Sequence, residues 1–80
     1  MRIGDAVALR IEKLCKEHSI TINGLATVSG ITQSTLSNIV LKKSSNPTVS
    51  TIMKICDGLN VTITEFFNDE VFTDLEQEVV

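Results

Sequence analysis

One stretch, residues 25–39, constrains this chain more than any other. It reads Leu-Ala-Thr-Val-Ser-Gly-Ile-Thr-Gln-Ser-Thr-Leu-Ser-Asn-Ile. Leu25 and Ala26 form an apolar pair on one helical turn. Gly30 follows, the residue type that takes a positive φ without a Cβ penalty and so lets a chain reverse at a helix end. Ile31 can plug the corner, and the Thr32 side chain can cap a new helix. Leu36, Ile39 and Val40 then recur at helical spacing and define an inward face. The pattern predicts two short helices meeting at a sharp corner, over about residues 22–29 and from Thr32 to about residue 40 or 41. Gln33, Ser34, Ser37 and Asn38 are left pointing outward on the second.

The flanking sequence continues in the same period. Ile3, Val7, Ile11, Leu14 and His18 fall on one face of a first helix over about residues 4–18, with Glu12, Lys13, Lys16 and Glu17 on the other. Ser19 and Thr21 break that run, and Thr21 can cap the second helix. Residues 42–47, Lys-Lys-Ser-Ser-Asn-Pro, read as a loop, and Thr48 caps a fourth helix carrying Val49, Ile52, Ile55, Cys56 and Leu59. Asn60 suits the left-handed position after that helix. Thr62 and Glu65 have the spacing of a capping box, so a fifth helix follows through Phe66 and Phe67. No strand-like alternation runs for more than a few residues. The expected fold class is all-α, a five-helix domain over residues 1–68 with an acidic extension over 69–80.

Eighty residues allow one small domain with a limited core. The net charge of −3 argues at first against a nucleic-acid partner, but its distribution reverses the argument. Glu65, Asp69, Glu70, Asp74, Glu76 and Glu78 close the chain without a single lysine or arginine. The first 64 residues hold all seven basic residues against four acidic ones, a net of +3. No segment approaches the apolar length of a membrane span, and the first residues lack a secretory layout, so a cytoplasmic protein is expected. Cys15 and Cys56 make neither a CxxC pair nor, with the single histidine, a metal set. They read as reduced, small core residues. His18, at the end of helix one, reads as a capping or core residue. No serine or cysteine stands in a recognised catalytic motif and there is no glycine-rich phosphate loop, so no enzyme, metal or cofactor is expected.

The ordered set of motifs resembles the lambda-repressor-like, Cro-repressor-type helix-turn-helix regulators of bacteria and phages, the XRE family. The likeness covers about residues 10–67. It rests on Arg10-Ile11 and Leu14, then Ile20-Thr21, Leu25-Ala26 and Ser29-Gly30-Ile31. It continues through Thr32 to Ile39, Asn46-Pro47-Thr48, Ile52, Ile55, Leu59, Val61 and Glu65-Phe66-Phe67. Three departures stand out. Ile22 occupies a position where the family often has a phosphate-binding glutamine, a contact then lost or passed to Asn23. Val40-Leu41-Lys42 replaces a common Glu-Asn-Gly ending of helix three. Cys15 and Val40 occupy the positions of a common arginine–glutamate ion pair, so an apolar contact is expected in its place, an exchange that often costs little.

The resemblance implies double-stranded DNA as the partner and a second helix of the motif in the major groove. Gln33, Ser34 and Asn38, with Ser37, would then meet base edges, Gln33 and Asn38 being able to pair with the N6/N7 edge of adenine. Asn23 and the free amides of helix two, together with Thr32, Thr35, Lys42, Lys43, Ser44, Ser45 and Asn46, would meet phosphates. Arg10 and Lys54 are weaker choices. So few cations imply a homodimer on a palindromic operator, and repression is the expected outcome. Phe66, Phe67, Val71, Phe72 and Leu75 are the candidate dimer surface, unless they fold back and close the core. The alternative is a protein-interaction or antitoxin-like module on the same fold, with the acidic tail contacting a second protein and DNA binding secondary.

Overall fold

Three of the turns between helices repeat one local solution: Ser19-Ile20-Thr21, Gly30-Ile31-Thr32 and Asn60-Val61-Thr62. In each, the first residue is left-handed, with φ of 51°, 67° and 57°. The next residue, a β-branched aliphatic, returns its N–H to a carbonyl five residues earlier, Cys15, Ala26 and Cys56 respectively, each at 3.0 Å. That is the bond that closes a Schellman-type helix end. Ile20, Ile31 and Val61 then rest against the core. The threonine that follows accepts the backbone N–H three residues on, from Gly24, Thr35 and Glu65. One short sequence thus ends a helix, pins the corner to the interior and starts the next helix.

The computed structural model describes residues 1–41 and 46–78. Its elements are α1 (Ile3–Glu17), α2 (Ile22–Ser29), α3 (Gln33–Val40), α4 (Val49–Leu59) and α5 (Ile63–Phe67), followed by a 3₁₀ turn, Glu70–Phe72. The chain is all-α, as expected, and the described residues hold no strand. Thr48 caps α4 by accepting from Thr51, and Thr62 with Glu65 forms a complete capping box. The Thr62 amide bonded to Glu65 holds that carboxyl below the usual range. His18 departs from the expected apolar face of α1. It lies at the helix C-cap and is exposed, because the chain turns away from the core there.

Ile11, Leu25, Leu36, Ile55, Cys56 and Phe66 fill the centre. Helix α2 lies against α4 where Gly58 faces Ser29, and a Cβ on Gly58 would stand 3.1 Å from the Ser29 Cα. The missing side chain is what lets the two helices approach. Burial pushes both cysteine thiols up, so they stay protonated and behave as small apolar groups. Cys15 and Val40 line the same shallow depression with Ile20 and Ile22, so an apolar wall stands where the resemblance placed an ion pair.

The side of the domain formed by α1 and α5 is held by a buried arginine. Arg10 is 7% exposed. Its Nε donates to the Phe66 carbonyl at 2.7 Å and its Nη2 to the Glu65 carbonyl at 2.9 Å. Its Nη1 meets Asp69 at 3.1 Å, and Lys13 reaches the same carboxyl oxygen at 2.9 Å. The carbonyls that end α5 lie beyond the reach of the helix's own i→i+4 bonds. The Glu65 carbonyl accepts the Asn68 N–H at 3.3 Å, and the guanidinium fork supplies donors to both Glu65 and Phe66. Arg10 is therefore withdrawn from the set of phosphate contacts: its donors point inward. Asp69 also accepts the Val71 N–H, and the Lys13 and Val71 bonds hold its carboxyl below the usual range. The segment after α5 folds onto α1 in consequence. Phe72 packs against the core, the ring centres of Phe67 and both Phe66 and Phe72 lie 4.9 Å apart, and the Glu76 N–H reaches the Met1 carbonyl at 3.0 Å. Phe66 is wholly enclosed in its own subunit and has no surface to offer a second chain.

Candidate nucleic-acid interface

Helix α3 stands at the surface because only one side of it is apolar. Leu36 and Ile39 are buried and Val40 rests against the core. Gln33, Ser34, Thr35 and Asn38 are exposed, and Ser37 is half-buried. The Gly30 corner brings the start of this helix against the start of α2, and there the two polar ends meet: Gln33 Nε2 donates to Asn23 Oδ1 at 2.5 Å. That bond takes one amide hydrogen of Gln33. The second hydrogen and Oε1 remain, the donor and acceptor needed for the N7 and N6 edge of adenine. Asn23 thus orients the amide plane of Gln33 through its Oδ1, while its own NH2 is left for an outside acceptor. The sequence could not show this pairing, because the residues meet only once the corner angle is set.

The threonine cap of α3 has a comparable effect on its neighbour. Thr32 Oγ1 accepts the Thr35 N–H at 3.2 Å and donates its own hydrogen to Thr35 Oγ1 at 2.8 Å. The Thr32 hydroxyl is committed inside the turn, while the Thr35 hydroxyl keeps its hydrogen for an outside acceptor such as a phosphate oxygen. Thr35 and Asn38 also line one shallow depression with Asn46, Pro47, Thr48 and Thr51. The fold therefore gathers Gln33 with Asn23 at one edge of α3, and Thr35, Asn38 and Asn46 at the other. Thr51 joins that second group without having been singled out in the sequence, where it looks like any exposed residue of α4. Ser34 stands exposed between the two groups. Lys42, Lys43, Ser44 and Ser45 lie outside the described residues.

Charge is sparse around this surface. Three basic side chains are engaged elsewhere: Arg10 and Lys13 with Asp69, and Arg2 with Glu78 at 3.2 Å. Lys16 and Lys54 are exposed. Among the described residues no group of histidine, cysteine, aspartate and glutamate could hold a metal ion, and no helix is long and apolar enough to cross a membrane.

The model of the Cro/C1-type HTH DNA-binding domain matches residues 10–71, the greater part of the chain. This chain belongs to the Cro/C1-type helix-turn-helix family. The crystal structure of the prophage Lp1 protein 11 superimposes on it with a TM-score of 0.81 at 30% sequence identity, over 94% of this chain and 100% of that one. Among curated proteins the chain has no match. The Cro/C1-type domain is a DNA-binding regulator fold, not an enzyme, and α2 and α3 are its helix-turn-helix. Its partner is double-stranded DNA.

Proposed function

We propose that this Cro/C1-type domain is a transcriptional repressor that reads a palindromic operator as a homodimer, through the outward side chains of α3. The observation that carries the reading is the Asn23–Gln33 bond at the corner of the motif. An exposed glutamine on a helix surface ordinarily samples many rotamers, whereas this one is held with a donor and an acceptor free. Gln33, Ser34, Ser37 and Asn38 supply the base contacts. Asn23, Thr35, Asn46 and the loop residues Lys42, Lys43, Ser44 and Ser45 supply the phosphate contacts, with Thr32 contributing through its cap.

A second subunit compensates for the few free cations by doubling the phosphate contacts. Phe67 is exposed at the edge of an apolar depression of 240 Å³ that also includes Ile3, Val7, Val49 and Ile52. Val49 is 77% exposed, and Met53 stands one turn further along α4 at 43%. These side chains, with the half-buried Val71, Phe72 and Leu75, form the surface for the second copy. Selection of bound DNA from a random pool tests the whole reading. It should return two inverted half-sites about one helical turn apart. A pool with no enriched sequence at low salt would instead favour the protein-interaction module, in which the acidic segment meets a second protein.

A further inference from the structure

We infer that Leu41 extends the base-reading face of α3 and recognises the 5-methyl group of a thymine. This deepens the DNA-reading role proposed above and rests on it. Leu41 is 64% exposed, a large apolar side chain left in water. A single exposed leucine needs no explanation, but the position of this one does. Its φ of −82° and ψ of 4° keep it close to helical geometry, and its N–H bonds to the Ser37 carbonyl at 2.8 Å, so it is fixed to the end of the helix.

The helical period then decides where it points. At about 100° per residue, position 41 returns to within about 20° of position 34, two turns away. Leu36, Ile39 and Val40 mark the inward side, and positions 34, 38 and 41 lie opposite it. Ser34 and Asn38 are shorter and polar. Leu41 is therefore the bulkiest side chain on the outermost line of the recognition helix. It lies about 10 Å along the axis from Ser34, the rise of about three base pairs. In the major groove the apolar feature of a base edge is the thymine methyl, and burying it against an aliphatic side chain is how it is told from other edges. A serine in this place would leave that position unread.

The test uses the intact chain and a site selected from random DNA. Each thymine of one half-site is replaced singly by deoxyuridine, which removes the methyl and nothing else. At one position, about three base pairs from the one that Ser34 faces, binding should weaken about threefold to fivefold, the effect of exposing one methyl group. Leu41→Ala should bind the thymine and deoxyuridine forms equally while melting at the same temperature as the parent, since the residue is exposed. Undiminished discrimination by Leu41→Ala, or a site insensitive to every such replacement, overturns the assignment alone. Failure to select any DNA overturns the DNA-reading role, and this assignment with it.

Discussion

The outer face of α3 and the Arg10 cluster use polar side chains in opposite ways. Around Arg10 each guanidinium nitrogen finds an acceptor inside the fold: two carbonyls at the end of α5 and a carboxylate that Lys13 shares. On α3 the polar groups are exposed and only partly bonded, and the bonds they make leave donors and acceptors directed outward. The first region converts charge into attachment of the C-terminal segment. The second keeps hydrogen-bonding capacity in reserve for a partner. Charge counted along the sequence missed this division, because it counted Arg10 and Lys13 simply with the other basic residues of the first 64.

The comparison breaks most visibly at Arg10. Arg10→Met removes the guanidinium from two carbonyls and a nearly buried carboxylate, and should cost about 3–5 kcal/mol in urea unfolding. The same change should leave the order of preference among DNA sequences intact under conditions where the variant is folded. A variant as stable as the parent would mean that the cluster holds nothing.

Acid should act on the same region. The Asp69 carboxyl is held low by Lys13 and the Val71 amide, so its folded value lies below its unfolded one. Its contribution to stability is then present above the ordinary carboxylate value of about 3.9 and lost as pH falls through the lower folded value. Glu65 adds in the same direction through the Thr62 amide. Unfolding free energy followed from pH 6 downward should fall in this window, and Asp69→Asn should show a shallower fall. Parallel curves would place the acid sensitivity elsewhere.

On the α3 side the expected effects on stability are small. Asn23→Ala should leave the melting temperature nearly unchanged and weaken binding by about 1 kcal/mol, with the loss concentrated at the base position read by Gln33. A loss equal at every sequence would make Asn23 a phosphate contact only. Lys43→Ala should weaken binding evenly across sequences and lower the slope of log K against log salt by about one. An unchanged slope would remove that lysine from the interface.

How much of this was legible depends on how far apart the interacting residues lie. The Thr21, Thr32, Thr48 and Thr62 caps and the Gly30 and Asn60 turns are local. Each involves atoms within a few residues, so residue type and spacing sufficed to predict them. Ser19 adopts the same left-handed turn without being glycine or asparagine, and only its likeness to the other two junctions marks it. The partners of Arg10 are 55, 56 and 59 residues away, beyond the reach of any periodic pattern. The close approach at Gly58 was equally hidden, since a glycine inside a helix carries no mark of the helix that will lie against it. At the site, the identity of the outward side chains was readable from the 3.6-residue period. The Asn23–Gln33 bond and the alignment of Leu41 with Ser34 required the corner angle and the length of α3.

The central claim is that α3 reads bases with a glutamine held in place by its neighbour. It is tested most directly by measuring Kd for the parent and for Gln33→Ala on every single-base-pair variant of a selected site. The expected result is a loss of about 1–3 kcal/mol of discrimination at one position in each half-site, with the other positions and the melting temperature unchanged. An even loss at all positions, or none, would contradict it.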